Sequence, residues 1–173
     1  LRPRGLLIAG PYHNGKTMIA ERFAVEHLRC ADRQRVWVIQ TREGAGLSHF
    51  YASILSGLRA PQAAGWRSLS RASEQVDHLL DSLKPRLLIF DEFHSALRGR
   101  RQDVQAIFSF LRRIARVHDI SPVLVGEIAV YDALHDTEEM GSRFDTIPVP
   151  RWGFDEDFAT LLDSLEASMP LAH

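Results

Sequence analysis

Residues Leu6 to Thr17 read L-L-I-A-G-P-Y-H-N-G-K-T, a short apolar run followed at once by the pattern G-x-x-x-x-G-K-[ST]. The apolar run predicts a buried β-strand, and the pattern predicts a phosphate-binding loop, the Walker A motif. Glycines let such a loop turn its N–H groups toward an anion, and the helix behind it points its positive end at the same place. We therefore predict that the chain binds a nucleoside triphosphate.

The loop positions divide into phosphate-binding and metal-binding residues. Lys16 is expected to reach the β- and γ-phosphates, and the Thr17 hydroxyl is expected to ligate Mg²⁺. The other predicted nucleotide-binding residues are Gly10, Pro11, His13, Asn14, Gly15 and Met18. The alternative is a glycine turn that merely precedes a lysine, and it is disfavoured because each fixed position of the pattern has a function.

Length and composition favour one domain, or one domain and a fragment of a second. The chain has 173 residues, of which 45% are hydrophobic and 25% are charged, as in ordinary globular proteins. Cys30 is the single cysteine, which excludes an internal disulfide and a cysteine-based metal site. It also suits a reducing cytoplasm. Since no apolar run reaches the length of a bilayer span, we expect a cytoplasmic protein with no membrane partner.

Five β-type runs alternate with helical patterns, which predicts an α/β fold with a parallel sheet covered on both faces. The predicted strands are Leu6–Ala9, Val36–Gln40, Leu87–Phe90, Val123–Val125 and Thr146–Val149. The predicted helices are Lys16–Cys30, Leu47–Leu58, Leu69–Leu83, Arg101–Val117 and Ile128–His135. We expect residues 1–150 to form the nucleotide-binding core and residues 151–173 to begin a new, truncated helical unit.

Leu87 to Glu92 read L-L-I-F-D-E, an apolar strand that ends in two acids, as in a Walker B motif. Asp91, at the strand end, would hold Mg²⁺ through its water shell. Glu92 would act as the general base on the attacking water. A solvated strand end explains D-E equally well when the pair stands alone. Behind a phosphate-binding loop, however, the pair favours hydrolysis by water over phosphoryl transfer to a small acceptor.

Two further positions concern the γ-phosphate. Glu127 follows an apolar strand at the place where ATPases of this class usually carry a polar sensor, and an anion there would repel the phosphate unless it turns away or pairs with a cation. We favour its interpretation as an acid at a helix N-terminus. Arg143 lies between a helix and the last strand, from which it could reach the γ-phosphate of a neighbouring subunit. The alternative is a surface arginine at a helix end.

Basic residues cluster after the D-E pair. The cluster consists of Arg98, Arg100 and Arg101, followed by Arg112, Arg113 and Arg116 on the polar side of the next helix. Such a cluster is able to bind DNA phosphates, whereas a solvated helix face is the common alternative. The residues by themselves leave both interpretations open.

The motifs in their order along the chain resemble those of one family. The relevant stretches are N-G-K-T-M-I with E-R-F (Asn14 to Phe23), L-I-F-D-E-F-H (Leu88 to His94), P-V-L-V-G (Pro122 to Gly126), S-R-F (Ser142 to Phe144) and P-R-W with D-E-D-F (Pro150 to Phe158). Together they resemble the TniB family, AAA+ ATPases of bacterial transposons that are related to TnsC-type proteins. The resemblance covers nearly the whole chain.

This resemblance implies a three-layer αβα P-loop NTPase fold of the AAA+ type with a five-stranded parallel sheet, and a helical lid that begins at residue 151. It implies ATP and Mg²⁺ as cofactors, ATP hydrolysis, ATP-dependent assembly of a ring or filament on target DNA, and contact with a DDE transposase. By position, Lys16, Glu92 and Arg143 become the catalytic residues, while Thr17 and Asp91 become the metal ligands. The DNA partner that the resemblance implies also favours DNA contact by Arg98, Arg100 and Arg101 over a solvated helix face.

Glu127 departs from the family pattern, since related sequences tend to carry a small hydroxyl residue there. This departure favours an alternative, a nucleotide-dependent scaffold with little turnover. A helicase-type nucleic-acid motor is a further alternative, and it would require the motifs of a second motor domain.

Overall fold

The computed structural model describes residues 3–30, 33–42, 44, 46–60, 68–136 and 138–169. Its strands are β1 (Gly5–Ala9), β2 (Val36–Gln40), β3 (Leu87–Asp91), β4 (Ser121–Gly126) and β5 (Phe144–Pro148). They form one sheet in the order β2-β3-β4-β1-β5, and every neighbouring pair is parallel. The predicted five-stranded parallel sheet is confirmed.

The helices are α1 (Lys16–Cys30), α2 (Leu47–Gly57), α3 (Leu69–Leu83), α4 (Arg101–Val117), α5 (Ile128–His135), α6 (Glu138–Gly141) and α7 (Glu156–Ser168). A 3₁₀ turn covers Phe93–Arg98. The 3₁₀ turn and the four-residue α6 were not predicted, because elements this short show no periodicity. Strand β5 begins two residues earlier than predicted, because β1 pairs with it from Gly5 and Phe144 onward.

The helices lie on both faces of the sheet, which confirms the three-layer arrangement. Right-handed crossovers place α1 on one face and the helices that follow β2, β3 and β4 on the other. On the first face, Ala20 of α1 packs with Val36, Ile89, Val123 and Val125. The larger core lies on the second face, where α2, α3 and α4 cover the sheet.

Aromatic rings fix strand β3 against the second-face helices. The Phe50 ring stacks on Phe90 of β3 and meets Phe110 of α4 edge-on, with both centroid distances 5.5 Å. Phe90 and Phe93 are fully buried. Aromatic pairs in these arrangements stabilise a core beyond the area that they bury. The end of β3, where the predicted acidic pair lies, is therefore fixed against the helices of the second face.

Asp155 is the N-cap of helix α7, and its carboxylate accepts a hydrogen bond of 2.9 Å from the Phe158 N–H. None of the thirteen residues of α7, all of them described, is buried. Residues 170–173 of the predicted lid segment lie outside the described part of the chain. The division at residue 150 stays a prediction. Within the described ranges, the structure has no helix that is both long and apolar enough to cross a membrane.

Candidate functional site

The loop that joins β1 to α1 (residues 10–17, hereafter the 10–17 loop) lies at the carboxyl edge of the sheet. The Gly10 N–H donates to the Gly126 carbonyl at 3.2 Å, and a Cβ on Gly10 would lie 2.3 Å from the Val149 carbonyl oxygen. Glycine is required here because the loop leaves the sheet between the ends of β4 and β5. Gly15 has φ +78°, in the left-handed region that glycine occupies without strain.

Two buried polar side chains hold this loop. The Lys16 Nζ donates to the Pro11 carbonyl at 2.6 Å and so spans the loop. The Asn14 amide donates to the Val149 carbonyl at 3.1 Å and also to the Pro150 carbonyl, which ties the loop to the end of β5. His13 and Met18 are exposed beside them. The N–H groups of the first turn of α1, which have no partners within the helix, begin at Lys16.

Asp91 lies beneath the loop and is 1% exposed. Its Oδ2 accepts from the Thr17 hydroxyl at 2.8 Å and from the Gln40 amide at 2.9 Å, while its Oδ1 accepts from the Glu92 N–H at 2.9 Å. The two predicted metal-binding residues, Thr17 and Asp91, are thus in direct contact. Gln40 was not predicted. Gln40 is the polar residue at the end of β2, and it lies opposite Asp91 in the pairing of β2 with β3. Its contact with Asp91 could be predicted only once the strand order was known.

The contact between Thr17 and Asp91 suits Mg²⁺ in its donor chemistry. Mg²⁺ prefers oxygen ligands, keeps several waters, and takes few protein ligands when it binds together with phosphates. The described residues contain no group of three or more His, Cys, Asp or Glu that could hold a metal ion by itself. A carboxylate beside a hydroxyl, next to the first-turn N–H groups of α1, fits a cation that is shared with phosphate oxygens.

Glu92 follows Asp91 with φ +53°, a left-handed conformation that is uncommon for a residue with a side chain. Its carboxylate is partly exposed, and its Oε2 lies 3.4 Å from the Nδ1 of His94. The other ring nitrogen of His94, Nε2, lies 3.3 Å from the Oε1 of Glu127. The Tyr12 ring meets the His94 ring edge-on, with the centroids 5.8 Å apart.

Glu127 precedes α5, as predicted, and among the described residues its side chain makes no capping hydrogen bond to that helix. It faces His94 and Tyr12 instead. Hydrogen bonding to Glu127, followed by loss of solvent and the Glu127 charge, raises the pKa of the Tyr12 phenol above its ordinary value. The Glu127 carboxylate, which was expected to repel a γ-phosphate unless it turned away or paired with a cation, is directed into a cluster of Tyr12, Glu92, His94 and Glu127, hereafter the His94 cluster.

Arg143 lies apart from these residues, at the amino edge of the sheet. Its carbonyl accepts from the Gly5 N–H at 2.9 Å, immediately before β5 begins. Its guanidinium lies 3.5 Å from the Glu139 carboxylate, and its side chain is 46% exposed. Arg143 also lines a cleft of about 580 Å³ together with Arg112, Arg113 and Arg116 of α4.

The basic residues after β3 separate into two groups. Arg98, Arg100 and Arg101 are exposed, and the Arg98 charge acts on Tyr12 of the 10–17 loop. By contrast, Arg112 pairs with Glu139 at 2.7 Å, and Arg113 pairs with Asp77 at 2.5 Å. Residues 98–101 therefore present their charge to solvent, whereas two of the arginines on α4 are paired with carboxylates.

A second cleft, of about 620 Å³, adjoins the 10–17 loop. Tyr12 and Asn14 form one side of it, Ile128 of α5 forms another, and Trp152 after β5 closes it. From the sequence, Trp152 was named only within the P-R-W stretch and the predicted helical segment 151–173, so its position beside the 10–17 loop was not predicted.

The sheet order, the 10–17 loop and the acids after β3 define the AAA+ class of P-loop NTPases. The ORC2 protein of Aeropyrum pernix, in ADPNP-ADP complexes, has TM-score 0.70 and 16% identity over 95% of this chain and 46% of its own. A Walker-type ATPase of Pyrococcus abyssi has TM-score 0.63 and 16% identity, and the match covers 96% of this chain and 55% of that ATPase. Drosophila ORC bound to GC-rich DNA and Cdc6 has TM-score 0.58 and 14% identity, and the match covers 94% of this chain and 27% of the Drosophila chain.

These likenesses establish the AAA+ fold, and the chain spans about half or less of the length of the proteins concerned. A search of curated protein sequences found no match. A model of the family described as bacterial TniB protein matches residues 1–154. The chain belongs to the TniB family.

Proposed function

We propose that this chain is an ATP-hydrolysing AAA+ regulator of DNA transposition, which assembles on target DNA and directs a DDE transposase. The observation that carries the proposal is the contact of Thr17 with Asp91 beside Lys16 and Glu92, in a chain of the TniB family. The single cysteine agrees with a cytoplasmic location.

Nucleotide binding is assigned to the 10–17 loop and the start of α1. Lys16 and the first-turn N–H groups of α1 bind the phosphates, with Gly10, Pro11, His13, Asn14, Gly15 and Met18 forming the surrounding loop. Thr17 and Asp91 hold Mg²⁺, which when bound neutralises charge on the phosphates. Asn14 keeps the loop fixed through its bonds to the end of β5.

Hydrolysis is assigned to Glu92. As the oxygen of a water molecule bonds to the γ-phosphorus, the bond from that phosphorus to the β,γ-bridging oxygen breaks, which leaves ADP and phosphate. The Glu92 carboxylate accepts the proton that the water loses and passes it to solvent, to which its side chain is 44% exposed. Burial of Asp91 and exposure of Glu92 suit the different tasks of the two acids.

Arg143 is proposed to act on the nucleotide of a neighbouring subunit. The 10–17 loop follows the carboxyl end of β1, whereas Arg143 precedes the amino end of the parallel strand β5. The five residues of β5 separate the two edges by roughly 17 Å at about 3.3 Å per residue. This separation argues against a role at the chain's own phosphates, so the proposed site is completed in a ring or filament.

DNA binding is assigned to Arg98, Arg100 and Arg101. Their charges face solvent, which suits contact with phosphates that carry no sequence information. The structural likeness to an ORC assembly bound to DNA agrees with nucleic acid as a partner. The transposase partner rests on family membership alone.

A second candidate function is a nucleotide-dependent scaffold with little turnover. Glu127 in place of a hydroxyl residue is the feature that favours it. The contacts of Glu127 with His94 and Tyr12 weaken this argument, because they direct its charge into the His94 cluster.

The test combines assembly with turnover. In the presence of ATP and duplex DNA, we expect the wild-type chain to form assemblies visible by sedimentation and electron microscopy, and to hydrolyse ATP faster than without DNA. The variant Lys16→Ala should do neither. A wild-type chain that stays monomeric with ATP and DNA would contradict the proposed assembly, and assembly without turnover would support the scaffold.

A further inference from the structure

His94 lies where segments that follow three different strands meet. Glu92 and His94 follow β3, Glu127 follows β4, and Tyr12 belongs to the loop after β1. The His94 side chain is only 11% exposed, whereas that of Glu92 is 44% exposed. Of this pair, the histidine is therefore enclosed, whereas the glutamate is partly exposed to solvent.

The Nδ1 of His94 is buried and has no hydrogen-bond partner among the described residues. The atom lies 3.4 Å from the Glu92 carboxylate without hydrogen-bond geometry. Leaving a buried polar atom unpaired is unfavourable, so such an atom requires an explanation. A modest rotation of the partly exposed Glu92 side chain would bring the two groups into a bond.

The ring itself is held from several sides. Glu127 faces its Nε2, and Tyr12 covers it edge-on. Phe93, the residue before it, is fully buried and anchors the 3₁₀ turn in the core. At Gly126 an added Cβ would lie 3.5 Å from the backbone nitrogen of His94, so the end of β4 packs closely on this turn. Hydrogen bonding to Glu127 is the largest cause of the raised pKa of the Tyr12 phenol, in agreement with Tyr12 facing Glu127.

We propose that His94 is a positioning residue for Glu92, holding its carboxylate toward the attacking water, and that Glu127 and Tyr12 hold the His94 ring. The inference rests on the proposed function, since it requires Glu92 to be the base in ATP hydrolysis. It gives Glu127 a task other than sensing phosphate. It also links the 10–17 loop, through Tyr12, to the orientation of Glu92.

Turnover on DNA tests the proposal first. His94→Ala should lower kcat about tenfold or more, the usual effect of removing a group that orients a functional side chain, with KM changed by less than about twofold. His94→Asn should recover part of the loss, because its amide lies near the place of Nδ1, and His94→Gln should recover less. His78→Ala, at an exposed position on α3, is the matched control and should leave kcat unchanged.

A double-mutant cycle separates positioning from general damage. Glu127→Gln should lower kcat less than His94→Ala does, and the double variant should lose no more than His94→Ala alone, because the ring that Glu127 holds is already absent. Losses that multiply, or a kcat of His94→Ala within about twofold of wild type, would overturn the proposal.

A readout without turnover keeps the two proposals distinguishable. In side-chain nitrogen NMR of the nucleotide-free chain, Glu92→Gln should shift the His94 Nδ1 resonance and Glu127→Gln the Nε2 resonance. Asp132→Asn, at an exposed position on α5, should shift neither. Should the wild-type chain show no ATP hydrolysis, the proposed function fails, and this spectrum separately decides whether His94 holds Glu92. An Nδ1 resonance unchanged by Glu92→Gln would overturn the positioning of Glu92 by His94.

Discussion

The Thr17 hydroxyl donates a hydrogen bond of 2.8 Å to the Asp91 carboxylate, across 74 positions of sequence. The bond joins the first turn of α1 to the end of β3, two strands away from β1 in the sheet. The intervening strand β4 ends at Gly126, whose carbonyl accepts from the Gly10 N–H. The 10–17 loop and the acidic pair are therefore parts of one structural unit at the carboxyl edge of the sheet.

Thr17→Ala should weaken binding of an ATP analogue about tenfold when Mg²⁺ is present, and should have little effect when Mg²⁺ is removed with a chelator. The physical reason is that the variant removes one oxygen ligand of the cation and leaves Lys16 and the loop intact. Fluorescence titration measures both affinities. Thr160→Ala, at an exposed position on α7, is the control, and an equal loss in both conditions would contradict the assignment of Thr17 to the metal.

Arg143→Ala should lower DNA-stimulated hydrolysis by about 10³-fold or more if the arginine stabilises transition-state charge. Mixing this variant with Glu92→Gln should restore part of the activity, because an intact site forms wherever a Glu92 subunit receives Arg143 from its neighbour. Steady-state ATPase assays at several mixing ratios test this. A mixture that shows only the sum of the two residual rates would argue against action between subunits.

Replacing Arg100 and Arg101 by alanine should weaken binding to duplex DNA of any sequence. For each DNA phosphate that an arginine no longer neutralises, the slope of log affinity against log salt should fall by about 1. Fluorescence anisotropy over a series of salt concentrations measures the slope. Arg112→Ala is the matched control, since that arginine is paired with Glu139. An equal change of slope in this control would contradict the assignment of DNA binding to Arg100 and Arg101 in particular.

Phe90→Ala should lower the free energy of unfolding by about 3–5 kcal/mol, because it leaves a cavity in the aromatic core under β3. Urea denaturation followed by circular dichroism measures the change. Phe154→Ala removes an equally large ring that is fully exposed, and it should change stability by less than about 0.5 kcal/mol. Similar losses for both variants would contradict the assignment of Phe90 to the core.

The fold was predictable because each strand and each long helix carries its own pattern. The run Leu6–Ala9 before a glycine-rich loop, and the apolar arc of α4, identify their elements without tertiary information. The ends of strands were harder to predict, since β5 begins at Phe144 because that residue pairs with Gly5 of β1. Gln40 was missed for a similar reason, since its importance depends on β2 lying next to β3.

The His94 cluster shows a second limit of sequence reasoning. Glu127 was interpreted as an acid at a helix N-terminus that would repel a bound phosphate unless it turned away or found a cation, because only its charge and its place after β4 were known. Its actual partners, His94 and Tyr12, lie 33 and 115 positions away in the sequence, and only the folded chain brings them together. The same limit applies to Arg112 and Arg113, since the carboxylates that pair with them lie on other helices, α6 and α3.

The central claim, that this chain hydrolyses ATP with Glu92 as the base, is tested most directly by comparing wild type with Glu92→Gln on DNA. Nucleotide binding and turnover are measured on the same samples. We expect Glu92→Gln to bind ATP as tightly as wild type, to assemble on DNA, and to hydrolyse ATP about 10²–10⁴-fold more slowly. Equal rates for the two proteins, whether substantial or negligible, would contradict the claim.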